Sequence, residues 1–364
     1  MAAAREGGIV RRVAAAVAAH PVPVMLAAFA LLPLIPFPHP SAGFPFVRFT
    51  RLYEALTSQI LVWGLFALGY NILLGYTGIL SFGHAAYWGL GAYGLGLAVV
   101  HLKVGFWAAL GIGVGAATLA ATLFGLFCLH RRGIYFAMLT LAFAQLFYFI
   151  VFQTYSFTGG DDGLRGLAIR EVALPGGYRL AIEGPLRFYY FALAFVILSV
   201  LALKRVLESP FGRVLQAIRE SEERARACGY DTDRVKLFSF ILSGFFSGLA
   251  GALSAVHLSF VPIESLYWTT SGEVVMMTLL GGQGTFFGPF VGAAAFLLLQ
   301  DLLSVFTEHW ELFVGAIFMG FVLYLPKGLW GAILDLPALR CATEPAPGGP
   351  EEARGGSSQI MRAS

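Results

Sequence analysis

SPFGRVLQAIRESEERARACGYDTDRVK, residues 209–236, gathers eleven charged residues inside a 364-residue chain that is 58% hydrophobic and only 12% charged. On both sides of this island the sequence returns to apolar runs of about 20 residues, the length an α-helix needs to cross a hydrocarbon core. The island therefore reads as a structured loop at a membrane face, placed where a partner can bind it.

Composition points the same way. With 33 Phe and 44 Gly and a mean hydropathy of +0.75, the chain cannot cover a soluble globule with polar surface, while Gly-rich apolar sequence suits close helix packing in lipid. The expected fold class is all-α: a polytopic transmembrane helix bundle of about ten spans, some broken or re-entrant, with a helix in the charged loop. A net charge of +3 does not suggest nucleic-acid binding. Cys128, Cys228 and Cys341 are far apart and lack metal-ligand spacing, so neither a disulfide framework nor a metal site is expected.

The apolar segments run over 21–38, 54–75, 79–101, 104–129, 133–152, 188–207, 237–260, 271–283, 286–304 and 310–325. The eighth is short and ends in Gly281-Gly282-Gln283-Gly284, which suits a re-entrant helix. With ten crossings, Arg11, Arg12, His130-Arg131-Arg132, the island and Lys327 fall on one side, cytoplasmic by the positive-inside rule. Arg48, Arg51 and Lys103 fall on the other. This divides the chain into a cytoplasmic segment 1–20, a transmembrane domain 21–336 that includes the loop 209–236, and a disordered cytoplasmic tail 337–364, whose Pro, Gly, Glu, Arg and Ser carry little apolar periodicity. Ser41-Ala42-Gly43 resembles a signal-peptide cleavage site, but the preceding apolar run is long and Pro33, Pro36, Pro38 and Pro40 crowd its end.

Two segments carry unusual glycine. Gly75-Tyr76-Thr77-Gly78 is expected to unwind or kink a helix, leaving backbone groups that must face protein or a watery cavity. After it, Ala85, Gly89, Ala92 and Gly96 form a small-residue stripe suited to close helix approach. Leu73-Leu74-Gly75-x-x-Gly78 is echoed by Leu279-Leu280-Gly281-x-x-Gly284, a short match that suggests an internal repeat. Gly75, Gly78, Ser81, His84, Gly281 and Gly284 are the candidates for a translocation path, with plain helix packing as the competing reading. Ser81 and His84 lie one turn apart, yet no nearby Asp or Glu could orient the histidine, so a helix-start hydrogen bond or cavity-facing contact is favoured over catalysis. Asn71, Gln145 and Glu273 are the other polar residues at apparent membrane depth, where facing the bundle interior is cheapest.

Within the island, Ser209 is placed to cap a helix with Pro210 at its first position, Val214, Ile218 and Ala225 recur near helical spacing, and Gly229 suits a left-handed C-terminal turn. These features predict one short amphipathic helix with an exposed face rich in both charges. Glu223-Arg224-Ala225-Arg226-Ala227-Cys228-Gly229 resembles the E-A-A-x-x-x-G coupling loop of ABC importer permeases, departing at Arg224, where the signature has Ala.

The resemblance extends to GYTGILSFGHAAYWGLGAY (75–93), RGIYFAMLTLAFAQLF (132–147), TGGDDGL (158–164), RESEERARACGYDTDRVKLFSFILSGFFSGLAGAL (219–253) and GGQGTFFGPFVGAA (281–294). Together and in this order they resemble the LivM-type permease of branched-chain amino acid ABC importers. The resemblance implies half of a transmembrane pathway in the bacterial inner membrane, paired with a LivH-type permease, two cytoplasmic ATPases and a periplasmic or extracellular amino-acid-binding protein. It implies ATPase coupling through Arg219, Glu220, Glu223, Ala225 and Gly229. No G-x-x-x-x-G-K-[ST] phosphate loop occurs, so ATP and Mg are expected in the partner ATPases and no cofactor in this chain. A urea or short-chain amide importer and a secondary transporter are the alternatives, and a membrane enzyme ranks below both.

Overall fold

The structure, a computed structural model, describes residues 53–334 apart from Arg132, Ala168, Arg170, 174–178 and 326–327, together with Pro23, Met25, Phe29, 38–40 and 47–49. By its contacts the chain divides into Phe29–Gly331 and a unit joining Met1–Ala28 to Ala332–Ser364. Of the second unit, only Pro23, Met25 and residues 332–334 are described. The segment 1–20 with Arg11 and Arg12, most of the first apolar run 21–38, Arg51, Arg132, Lys327 and the tail 337–364 lie outside the described residues.

The unit Phe29–Gly331 is built of helices. α1, Tyr53–Asn71, widens into a π-helical turn over Ile72–Thr77. α2 (His84–Val100), α3 (Phe106–Cys128) and α4 (Ile134–Gln153) follow. α5 (Pro185–Leu207) precedes the island helices α6 (Pro210–Glu220) and α7 (Glu222–Ala227), and α8 (Thr232–Leu258) returns through the bundle. α9 (Trp268–Gly281), α10 (Gly288–Phe306), α11 (Trp310–Tyr324) and α12 (Gly328–Leu334) complete the order. Among the described residues, strand pairs are short and antiparallel, Pro38–Pro40 with Val47–Phe49 and Glu171–Ala173 with Arg179–Ala181, beside an isolated bridge between Leu164 and Val261.

Each of the nine apolar segments after the first contains a helix. Six helices among the described residues are long and apolar enough to cross a membrane: Ala55–Thr77, Phe106–Cys128, Ile134–Gln153, Pro185–Leu207, Thr232–Leu258 and Gly288–Phe306. α2, α9 and α11 are shorter, at 17, 14 and 15 residues. The chain is a multi-pass membrane protein.

α8 is the central post, packed against α1, α2 and α3. Lipid offers no hydrophobic gain for bringing helices together, so close van der Waals packing must hold the bundle. Glycine makes that approach possible: a Cβ at Gly91 of α2 would collide with the Gly248 carbonyl of α8, and one at Gly251 with the Trp88 carbonyl. A Cβ at Gly94 would lie 2.7 Å from Gly113 Cα of α3. These contacts lie beside the expected stripe. Within the stripe, Gly89 meets Leu266, whose Cα would lie 3.2 Å from an added Cβ, and Gly96 meets the side chains of Leu164 and Val261. α2 has small residues on two faces, and the positions of Gly248 and Gly251 opposite decide which face meets the α8 backbone, while Gly244 packs on Ala121 of α3. Toward the island end, Tyr87, Phe124, Phe136 and Phe240 fill the core between α2, α3, α4 and α8. α4 buries Phe136, Thr140, Ala144 and Val151 but leaves Ile134, Tyr135, Met138, Phe149 and Ile150 exposed for lipid or a partner.

The island departs from its expected form in two ways. It forms two helices instead of one, because Ser221 breaks the run with an extended backbone (φ −161°, ψ 106°) and its Oγ accepts from Arg224 N at 3.3 Å, restarting the chain as α7. Ser209 precedes Pro210, but its hydroxyl does not cap α6; it donates to the Val206 carbonyl at 2.6 Å. The buried face of α6 is Gly212, Leu215 and Ile218, with Val214 half-buried, and α7 buries Ala225. Gly229 takes φ +89° and closes α7 with hydrogen bonds from Gly229 N to Arg226 O and from Tyr230 N to Ala225 O, a left-handed helix end.

Candidate functional site

The two echoed glycine motifs meet in space. In both, the last glycine turns the chain left-handed by the same angle: φ is +79° at Gly78, after the π turn, and +79° at Gly284, after α9. A Cβ at Gly75 would lie 2.5 Å from Gly284 N, so the two segments touch backbone to backbone. Asn71, fully buried, stitches them: its Nδ2 donates to Thr285 O at 2.8 Å and its Oδ1 accepts from Gly284 N at 3.0 Å. Gly281 fits against Gly288 and Gly292, letting α9 and α10 cross closely.

Arg219 joins this junction from the island. It lies in the last turn of α6, and its Nη1 donates to the Gly75 carbonyl. Its stem packs on Gly78, and a Cβ at Gly284 would lie 2.6 Å from Nη1. A cavity of about 630 Å³ opens beside it, with Leu80, Phe82 and Phe136 on its apolar side and Arg131, Arg219 and Lys236 among its polar lining.

Within the non-helical backbone 78–83, where Gly78 and Leu80 are exposed, other N–H groups find acceptors in the protein, as irregular backbone away from water must. Ile79 N donates to Leu73 O, Phe82 N to Thr140 Oγ1 at 3.2 Å and Gly83 N to Ser81 Oγ at 3.2 Å. Ala85 N, at the start of α2, donates to Ser271 Oγ at 2.8 Å. Ser81 and His84 are fully buried, and neither lines the cavity. His84 Nε2 lies 2.8 Å from Ser243 Oγ, and that hydroxyl donates its single proton to the Gly69 carbonyl at 2.7 Å. Ser243 must therefore accept, so His84 is protonated at Nε2. Its Nδ1 has no protein partner. The histidine is bound to Ser243 and not to Ser81, which removes the nucleophile-and-base arrangement.

On the outer side of the island, Glu220, Glu223 and Gly229 are exposed, with Ala225 buried beneath them. The expected site residues thus form three groups: the junction of Gly75, Gly78, Gly281, Gly284 and Arg219, the core pair Ser81 and His84, and this outer face. A fourth group had no sequence-level assignment. Lys236, 7% exposed, pairs with Glu222 at 2.6 Å, while Arg226 reaches Glu222 and Asp233 at 3.3 Å each. This network fastens α7 to the first turns of α8. The Glu222–Arg226 spacing of four residues was readable as a helical ion pair; its partners across the Gly229 turn were not. Among the described residues, no group of three or more His, Cys, Asp or Glu is placed to hold a metal ion.

Residues 52–323 match the family described as the permease component of branched-chain amino acid transport systems. The chain belongs to this family. Members of the branched-chain amino acid permease family similar to it include the high-affinity transport system permease protein LivM of Escherichia coli (strain K12), 30% identical over 75% of this chain and 69% of that protein. A probable LivM of Methanocaldococcus jannaschii is 27% identical over 70% of this chain and 83% of its own length. The autoinducer 2 import system permease protein LsrC of Yersinia pseudotuberculosis (serotype O:3, strain YPIII) is 30% identical over a shorter stretch, 41% of this chain and 42% of its own. No solved structure matches. Membership in the branched-chain amino acid permease family makes the chain a transport subunit of LivM type, and neither a urea or amide importer nor a secondary transporter is favoured.

Proposed function

We propose that this permease subunit forms half of the pathway of an ABC importer that carries branched-chain amino acids into the cytoplasm, beside a LivH-type permease. The observation that carries this reading is the family match across residues 52–323, which includes every described helix from α1 to α10. Two cytoplasmic ATPases bind ATP and Mg, and a periplasmic or extracellular binding protein delivers the solute; the chain itself carries no cofactor. The exposed Glu220, Glu223 and Gly229 form the ATPase-docking face of the island, and α6 passes its movement to the spans as a rigid-body switch. Gly75, Gly78, Gly281 and Gly284 border the cytoplasmic end of the path, while Ser81 and His84 support it from the core. α2, α9 and α11, with the first apolar run, complete about ten crossings around the six long spans. Residues 1–20 and 337–364 are cytoplasmic and 21–336 are the membrane domain.

Reconstitution with the native partners tests the function. ATP-dependent uptake of labelled leucine, isoleucine and valine is expected, with urea excluded. Uptake of urea alone, or a purified complex without an ATPase, overturns the proposal. Orientation has its own test in a chain whose three cysteines are replaced. Asp161→Cys and Glu220→Cys, both exposed positions, are expected to react with an impermeant maleimide from opposite sides of the membrane. Labelling from one side rejects the topology.

A further inference from the structure

Arg219 is exposed on the island, yet its guanidinium is committed to the bundle. Its position at the end of α6 ties it to the island, while its guanidinium turns inward to the Gly75 carbonyl and the Gly78 and Gly284 turns. Both of those turns follow helix C-terminal ends, where unpaired carbonyls and the helix dipole gather about half a negative charge each. Neither the π turn nor α9 carries a basic residue in its last turn. Two partial negative ends therefore converge, with backbone contact between Gly75 and Gly284, and a cation reaches them from the island.

We propose that Arg219 is a positioning residue that latches the ends of the π turn and α9 together and releases them when α6 moves, opening the pathway at the island face. This deepens the importer reading and rests on it for the source of movement. Asn71 joins the same two segments by neutral hydrogen bonds that do not involve α6, so its hold carries no dependence on the position of α6. Arg219 is the contact whose strength depends on where α6 sits. A guanidinium is suited to this place because it stays charged and presents several donors in a planar fork.

The experiment uses the full complex with spin labels at Leu80 and Gln283, exposed positions beside the two turns. With Arg219 present, one narrow distance distribution is expected in the nucleotide-free state. Arg219→Met is expected to broaden and lengthen it, to lower leucine uptake at least tenfold at an unchanged half-saturating concentration, and to abolish the rise in ATP hydrolysis on adding solute-loaded binding protein. Arg219→Lys keeps the cation and is expected to recover at least half of the lost uptake. An Arg219→Met complex with the unaltered distance distribution overturns the latch, and so does a lysine variant no better than methionine in both readouts. The distance measurement requires neither ATP nor solute. It therefore still judges the latch if the unsubstituted complex fails to carry branched-chain amino acids, the result that would end the importer reading instead.

Discussion

Gly91→Leu is expected to leave no monodisperse protein after detergent extraction and no uptake above background. Gly91 faces the Gly248 carbonyl so closely that even a Cβ would overlap it, and the contact lies between two helix backbones, which cannot swing aside as a flexible side chain can. Leucine must push α2 away from α8, opening gaps along an interface that also includes the Trp88–Gly251 contact. Overpacking a tight interior costs about 1–3 kcal/mol when neighbours can adjust and more when they cannot. Against a total stability on the order of 5–15 kcal/mol, only a loss beyond the adjustable range removes the folded population, and a clash between two backbones that cannot adjust is of that kind. Gly111→Leu in α3 is the control, because nothing lies within 4 Å of a Cβ there; it is expected to retain most uptake. Fluorescence-detected size-exclusion chromatography of both variants decides, and a normal profile for Gly91→Leu would refute the packing account.

Gly229→Val is expected to insert normally yet reduce ATP hydrolysis stimulated by solute-loaded binding protein at least tenfold. The position has open space around it, so packing does not forbid the side chain. Its backbone does: φ +89° is a region that β-branched residues rarely enter, with a strain of about 1–3 kcal/mol. Relief comes from unwinding the hydrogen bonds of Gly229 N and Tyr230 N that close α7, which disorders the proposed docking surface while the spans remain intact. Asparagine tolerates a left-handed backbone far better, so Gly229→Asn is expected to keep at least half of the stimulation. Equal stimulation in the valine variant and the unsubstituted complex would remove this turn from coupling.

The sequence made the helical class legible because apolar run length and low charge report directly on the solvent a helix faces. It also located the unwinding after Gly75 and the turn at Gly229, since a glycine in a local pattern acts through its own backbone. Contacts set by the relative rotation of distant helices were not legible. Gly89 and Gly91 belong to one glycine-rich helix, and only the placement of α8 selects the second for contact with that helix's backbone. Asn71 was readable as a polar residue needing a partner, but not as the stitch from the π turn to Gly284 and Thr285, more than 200 positions away. The Leu-Leu-Gly echo was too short to carry weight by itself. Its meaning came from two matching φ angles and from their meeting at Arg219.

The interruption at Ser221 turns the charged loop into a knee with two arms. One arm, α6, has 11 residues, and the other, α7, has 6, about 16 Å and 9 Å at a helical rise of 1.5 Å per residue. Both arms are fastened next to the break: Arg219, two residues before Ser221, holds the Gly75 carbonyl, and Glu222, one residue after it, pairs with Lys236 of α8. The bend is thus the part of the loop tied on both sides, to the π turn before the serine and to α8 after it.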